Sequence, residues 1–295
     1  MSEGKVISFI NMKGGVGKTT LCREIGYTLN KRFNKSILFV DIDPQANLTQ
    51  SLLDKYNYLP QSGSMISNAM QNSKKYKQSI SHLFTPSAIV RPKKDDVILN
   101  LDESPKLSLI PGDLNTVFLE RTSSSDSERA LDNFLARNKI CDEYDFILVD
   151  CPPTYSFYTT AAFLASDYYL IPVGIDPYSV LGIDLLEQVV EQIKDSNPRV
   201  YQHRSLKNIG IIFNPMGYKN IIKNNLDNQK KHIKNAKSLQ KYNLFYFETI
   251  FNYNKRYGKQ LSYYAIDTQS TNHIANIEEI THEFLDRINN MQKKS

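Results

Sequence analysis

The chain has 295 residues, 41% hydrophobic and 23% charged, with a formal net charge of +5, which fits a soluble globular protein with one large α/β domain or two small ones. The three cysteines Cys22, Cys141 and Cys151 form no C-x-x-C pair, which argues against a disulfide framework or a zinc site and for a reducing compartment. No apolar run approaches the roughly 20 residues of a membrane span, and no signal peptide is expected ahead of the first strand.

Val6–Ile10 is a short apolar run of strand length, and Leu21, Ile25 and Leu29 follow at a spacing of four, one face of a helix. Between them stands Lys13-Gly14-Gly15-Val16-Gly17-Lys18-Thr19-Thr20. A glycine-rich turn between a strand and a helix is the setting of a phosphate-binding loop. Glycines let backbone N–H groups approach an anion, and the helix N-terminus adds partial positive charge at the same point. Lys18 is placed to reach terminal phosphates, and the Thr19 hydroxyl to ligate Mg²⁺. The ordinary G-x-x-x-x-G-K-[ST] pattern is not met, because Met12 stands where its first glycine would be. A dinucleotide G-x-G-x-x-G reading from Gly15 fails at Thr20. The remaining alternative, a glycine turn without a ligand, fits poorly with two lysines and two threonines in it.

Ser36–Val40 predicts a second strand, ending in Asp41-Ile42-Asp43-Pro44-Gln45. Carboxylates just past a strand's carboxyl end lie where open α/β sheets bind ligands, although a turn carboxylate is often only a helix cap. Residues 51–106 are polar and lack periodicity, apart from a short helix expected over Ser79–Phe84. Leu107–Ile110 predicts a strand, and Ser123–Asp126 a helix start with Ala130, Leu131, Phe134 and Leu135 on its buried face. Asp145–Asp150 is an apolar strand ending in an acid, and Cys151-Pro152-Pro153-Thr154 follows. Tyr168–Val173 predicts another strand, and Leu181, Leu185, Val189 and Ile193 one helical face. Ile209–Asn214 is a further strand.

From Tyr218 to Lys241 there are seven lysines and a single acid, Asp227, so the chain's basic character is local to this segment. Lys219, Lys223, Lys230, Lys234, Lys237 and Lys241 would form one stripe on a helix. Such a stripe is often a solvated face, but the near absence of acids favours contact with a DNA backbone. Ile274, Ile277, Ile280, Phe284, Ile288 and Met291 predict a terminal amphipathic helix. Its polar face is largely acidic, which points to packing against the sheet and away from a membrane surface.

The octapeptide from Lys13 to Thr20 resembles the deviant Walker A motif of the ParA/MinD family of P-loop ATPases. Asp41–Gln45 is similar to that family's D-x-D-P-Q segment, Leu107–Pro111 to its L-x-L-I-P segment, and Asp150–Pro153 to its D-C-P-P switch. The resemblance implies a doubly wound, mostly parallel sheet flanked by helices, with residues 1–295 as one domain and 51–106 as its variable region. It implies ATP and Mg²⁺ as cofactors, with Lys13, Gly14, Gly15, Val16, Gly17, Lys18, Thr19 and Thr20 binding nucleotide. Lys13 would reach the nucleotide of a second subunit in a homodimer. Asp43 would position the attacking water, with Asp41 in the surrounding shell, and Thr19, Asp43 and Asp150 would serve the metal.

Asn214 falls where relatives bind the adenine edge, and a turn-starting Asn-Pro is an equal alternative. The implied function is that of a ParA-type partition ATPase. ATP would bring two subunits onto nonspecific DNA, and a ParB-like centromere-binding activator would trigger release. Such a protein would be cytoplasmic, nucleoid-associated when bound to ATP, and would lack the helix-turn-helix segment that larger relatives carry ahead of the loop. Leu244–Phe251 resembles the family's F-x-T-x-I strand, but the sequel Asn252–Lys259 departs from the family's P-R-N-x-x-x-x-E-A-P, keeping Arg256 alone. A MinD-like membrane-cycling regulator and a metabolic or metal-delivery ATPase are the alternatives within the superfamily.

Overall fold

The structure, a computed structural model of the chain, describes residues 3–61, 73–85, 91–114, 116, 125–176, 178–202, 204–215 and 223–293, with the backbone alone described at 125–126, 223–226, 255 and 258. The strands are β1 (Lys5–Phe9), β2 (Ile37–Asp41), β3 (Tyr58–Pro60), β4 (Lys74–Tyr76), β5 (Leu99–Glu103), β6 (Lys106–Ile110), β7 (Phe146–Asp150), β8 (Tyr168–Val173) and β9 (Lys207–Phe213). Seven of them form one sheet in the order β5-β6-β2-β7-β1-β8-β9, and β3 and β4 pair separately. Every neighbour in the large sheet is parallel except β5, which runs antiparallel to β6.

Parallel strands covered on both faces need continuous apolar runs. β2 (ILFVD), β7 (FILVD) and β8 (YYLIPV) are such runs, and every residue in them is buried. Helices cover both sides of the sheet. α1 (Lys18–Phe33), α2 (Asn47–Tyr56) and α7 (Thr271–Gln292) pack on one face. α3 (Ala130–Arg137), α4 (Phe157–Ala165) and α5 (Ser179–Ser196) pack on the other. The doubly wound sheet implied by the sequence is therefore present. β7 lies between β1 and β2, so the chain order reverses around β1, and the crevice beyond the carboxyl ends of β1, β2 and β7 is the place for a ligand.

α1 sits close on the sheet because residue 26 has no side chain. A Cβ there would lie 2.4 Å from the Phe39 ring and 2.7 Å from Leu148 Cδ1. Gly26→Ala should therefore lower stability by about 1–3 kcal/mol through overpacking, less up to about 1 kcal/mol of gained helix propensity. Urea unfolding at constant m-value checks this. An unchanged midpoint would mean that α1 can lift off the sheet without cost.

The terminal helix packs as expected. Ile277, Ile280, Phe284 and Ile288 of α7 are buried, Phe284 meets Phe146 edge-on at 6.0 Å, and Arg32 of α1 pairs with Glu278 at 3.2 Å. The short helix is also present, as Ser81–Phe84.

Two expectations need correction, and one predicted helical face is covered only in part. On α5, Val189 and Ile193 are buried, but Leu181 and Leu185 are 66% and 48% exposed, so the predicted face is apolar without being covered along its whole length. Residues 244–251 are not a regular strand. They run beside β9 through an isolated bridge between Ile211 and Tyr246, with Ile211 N–H donating to the Phe245 carbonyl at 2.9 Å. The lysine segment is not one helix. It forms α6 (Lys223–Lys234) and, after a break at Asn235 and Ala236, a separate turn at Lys237–Gln240.

Candidate functional site

The loop from Lys13 to Thr20 leaves β1 and enters α1 at Lys18. Its turn is made possible by Gly15 and Gly17, at φ +72° and +88°. A Cβ on Gly14 or Gly15 would meet nothing within 4 Å, so this stretch of backbone borders open space. Polar side chains hold the loop from beneath. Asn11 is buried, donates to the Pro172 carbonyl at 2.8 Å and accepts from the Lys13 N–H at 2.9 Å. Asn214, also buried, donates from Nδ2 to the Val16 carbonyl at 2.9 Å, while its Oδ1 has no partner. The sequence left Asn214 equally as an adenine contact or as a turn-starting Asn-Pro. The structure places it as a tether between the end of β9 and the loop, with one acceptor atom to spare.

The two lysines of the loop behave differently. Lys18 is 6% exposed and donates from Nζ to the Lys13 carbonyl at 3.0 Å. Burial pushes its amine below the usual range, and the carboxylates of Asp150 and Asp43 work against that shift. Lys13 points elsewhere: its half-exposed side chain places Nζ 2.7 Å from Asp176 Oδ2. Asp176 also accepts from the Ser179 hydroxyl at 3.0 Å and the Tyr178 N–H at 2.9 Å. Burial works against its charged form, but the bonds from Lys13 and Ser179 prevail and hold its carboxyl below the usual range. Sequence reasoning did not assign Asn11, Asp176 or Ser179 to the site. Their contribution depends on contacts between segments about 160 residues apart, with no local pattern to reveal it.

Three aspartates stand at the ends of neighbouring strands. Asp41 lies directly across from Asp150, and Asp150 is also in register with Phe9 at the start of the loop connection. Asp41 is fully buried. One oxygen accepts the Thr49 N–H at 2.8 Å and the other has no partner. Burial pushes its carboxyl up to about 7, against the hydrogen bonds from Thr49. Asp150 is fully buried with neither oxygen in a hydrogen bond of ordinary geometry. Burial first, and Asp41 second, push its carboxyl well above the usual range, although the neighbouring Thr19 hydroxyl and Lys18 favour the charge. Asp43 is 8% exposed and accepts the Gln45 N–H at 2.9 Å.

Buried carboxylate oxygens without partners are costly, and a cation relieves that cost. Among the described residues, no group of three or more His, Cys, Asp or Glu side chains converges as a metal cage. The donor set therefore suits Mg²⁺, which takes one or two carboxylates and completes its shell with phosphate oxygens and water. It suits zinc poorly.

The basic segment is only partly free. Lys219 lies outside the described residues, as does the side chain of Lys223. Lys230 lies over the Phe213 ring at 5.6 Å, and Lys234 over Tyr246 at 5.5 Å, with Glu248 3.9 Å away. Lys241 is 3.7 Å from Asp184. Lys237 is exposed, and so is Lys231, which the stripe did not include.

Residues 4–202 match the protein family described as AAA domain. An uncharacterized protein of Methanocaldococcus jannaschii is 31% identical over 71% of this chain and 72% of its own. The virulence plasmid ParA family protein pGP5-D of Chlamydia psittaci is 32% identical over 64% of each chain. The chromosome-partitioning ATPase Soj of Treponema pallidum is 31% identical over 65% of each, so the match spans slightly less than two thirds of the length of these two relatives. Among solved structures, a plasmid partition protein from Borrelia burgdorferi superposes with a TM-score of 0.66 at 21% identity, covering 97% of this chain and 100% of that one. The ATP complex of Cyanothece McdA gives 0.69 at 19% identity, over 96% and 97%. At these identities the structural likeness is one of fold.

Proposed function

The chain belongs to the AAA domain family that its residues 4–202 match and, with its ParA and Soj relatives, to the ParA family of P-loop ATPases, and from that premise we propose that it is a Mg²⁺-dependent partition ATPase that dimerises on ATP and holds DNA nonspecifically. The observation that carries this reading is the pairing of an open glycine loop with the buried, unpartnered Asp150 carboxylate and the buried Lys18 amine. Loop amides and Lys18 would bind the phosphates, and Asn214 would meet the base only if its buried, unpartnered Oδ1 became accessible. Thr19, Asp43 and Asp150 would hold Mg²⁺, which supplies electrostatic stabilisation of phosphate charge when bound. Asp43 would orient the attacking water.

A second copy of the chain has a surface to meet. Tyr178, Leu181 and Leu185 form an exposed apolar ridge that continues from the Lys13–Asp176 pair. Release from DNA would follow hydrolysis stimulated by a ParB-like partner. The membrane-cycling alternative needs a terminal helix that is free to leave the protein. Here the apolar face of α7 is buried, and no helix among the described residues is long and apolar enough to cross a membrane.

The DNA reading is tested by salt. Each lysine that neutralises a phosphate releases counterions, so each contact removed should flatten the log–log salt dependence by about 0.9. The loss should be the same on any DNA sequence. Binding is measured with ATP at several salt concentrations for the parent and for a variant with Lys223, Lys230, Lys234 and Lys237 changed to Gln. A variant that dimerises and matches the parent in affinity and slope would show that the segment is a solvated face.

A further inference from the structure

A buried cation joins the first two helices. Arg23 of α1 is 5% exposed. Its Nη1 donates to the Ser51 hydroxyl of α2 at 2.7 Å and to the Leu261 carbonyl at 3.0 Å, and its Nη2 donates to the Tyr263 carbonyl at 3.1 Å. Ser51 is fully buried and donates in turn to the Leu261 carbonyl at 2.6 Å. The rings of Tyr257 and Tyr264 lie 5.4 and 5.1 Å from the guanidinium carbon. The neighbouring Glu24 accepts the Ala265 N–H at 2.9 Å. α1, α2 and the segment Tyr257–Ala265 therefore meet around one side chain.

Stability alone is a poor reason for that side chain. A buried guanidinium has to recover the hydration it gives up, and an apolar residue of similar volume packs at less cost. What an apolar residue cannot do is fix direction. Leu48 and Leu52 of α2 share a core with Leu21 and Ile25 of α1, a contact that sets no single register. Thr49 pins α2 to the sheet at one point, through Asp41 and the Gly112 N–H. The rigid fork of Arg23 supplies a second point, and two points fix an orientation.

Both ends of this clasp lie close to the candidate site. Lys18 opens α1 five residues before Arg23, about 7.5 Å of helical rise. Ser51 stands four residues beyond Asn47, where α2 starts, about 6 Å of rise. Between Asp43 and Asn47 the chain is a tight turn. The Ala46 N–H donates to the Asp43 carbonyl at 2.8 Å and the Gln45 N–H to its carboxylate at 2.9 Å. A tilt of α2 against α1 would carry Asp43 away from Lys18 and Thr19, and a misplacement of about 1 Å is enough to cost about a hundredfold in rate.

We propose that Arg23 is a positioning residue: by locking α2 onto α1 it sets Asp43 against the glycine loop, an inference that rests on the role given to Asp43 above. The test compares the full-length parent with Arg23→Lys, Arg23→Met and Ser51→Ala, each alone and combined with Asp43→Ala. Turnover per folded protein is measured with saturating ATP and Mg²⁺, affinity for a nonhydrolysable ATP analogue by titration, and amide hydrogen exchange across α2. The expected result is turnover at least about tenfold lower in both Arg23 variants, with analogue affinity within about threefold of the parent. Ser51→Ala should lower turnover by a smaller factor, and the α2 amides should exchange faster in all three. In the Asp43→Ala background the same substitutions should change the residual turnover by less than about twofold, because the group they would displace is gone. A side chain that merely holds the fold would lower turnover by the same factor in both backgrounds, and that outcome overturns the proposal. So does parental turnover in both Arg23 variants, or unchanged exchange of α2. If Arg23→Met does not fold, Arg23→Lys and Ser51→Ala carry the comparison. Parental turnover in Asp43→Ala alone would overturn the role given to Asp43, while the exchange of α2 still decides whether Arg23 holds that helix.

Discussion

Lys13→Ala is expected to abolish ATP-dependent dimerisation and to reduce ATP turnover by at least about a thousandfold, the scale on which a cation supplied to a transferring phosphoryl group acts. Lys18 is buried under the loop and can serve only its own subunit's nucleotide. Lys13 is half-exposed and its amine is held at 2.7 Å by Asp176, beside the apolar ridge that begins at Tyr178. To reach a second subunit's nucleotide it has to leave Asp176. Asp176→Asn should therefore weaken that hold and lower the ATP concentration needed for dimers, the opposite direction from Lys13→Ala. Light scattering with ATP and a phosphate-release assay read both effects. Normal dimers and turnover in Lys13→Ala would rule out a role for this lysine across an interface.

Asp43→Ala should lower turnover by about 10²–10⁴-fold, the usual scale for losing one positioned acid–base or water-orienting group, and weaken ATP binding and dimerisation far less, because Thr19 and Asp150 still serve Mg²⁺. The difference from Asp41 is local. Asp41 is fully buried and committed to Thr49, which in turn accepts the Gly112 N–H at 2.7 Å, so its replacement should disturb folding as well as chemistry. Asp43, 8% exposed, accepts the Gln45 N–H of its own turn. The variant should accumulate as a dimer that stays on DNA in the presence of ATP. Steady-state hydrolysis at the parental rate would assign the water to another group, with Asp150 the next to test.

The parts of this site that sequence made legible are those carried by contiguous chemistry. A strand, a glycine loop and a helix are consecutive, and an apolar run ending in Asp marks a buried parallel strand by itself, so β1, β2, β7 and their terminal residues were all placed to within a residue or two. Strand order was a different matter. Nothing in the run Phe146–Asp150 says that it inserts between β1 and β2, and that insertion is what sets Asp150 opposite Asp41. Asn214 was legible as a strand-terminal asparagine at the position of the family's adenine contact, but not as a tether of the loop. Its bond to Val16 joins residues 198 positions apart. Periodicity placed the helix of α5 but not its covering, for Leu181 and Leu185 share a face with the buried Val189 and Ile193 yet stand in solvent. An apolar stripe does not distinguish the core from a surface kept for a partner. Periodicity misled in the lysine segment, where a helix-spaced pattern ran through a break at Asn235–Ala236.

The order of the sheet also bears on how such a chain can change. Every group of the loop and the three aspartates hangs on β2, β7 and β1, the three strands at its middle, each buttressed by a neighbour on either side. The margins are made of other material. On one side is the antiparallel β5, and on the other is β9, which the family match at residues 4–202 does not reach. The two margins are not equivalent: Asn214, just past the end of β9, donates to the Val16 carbonyl, so a change on that side is felt at the loop, whereas β5 meets the sheet through β6 alone.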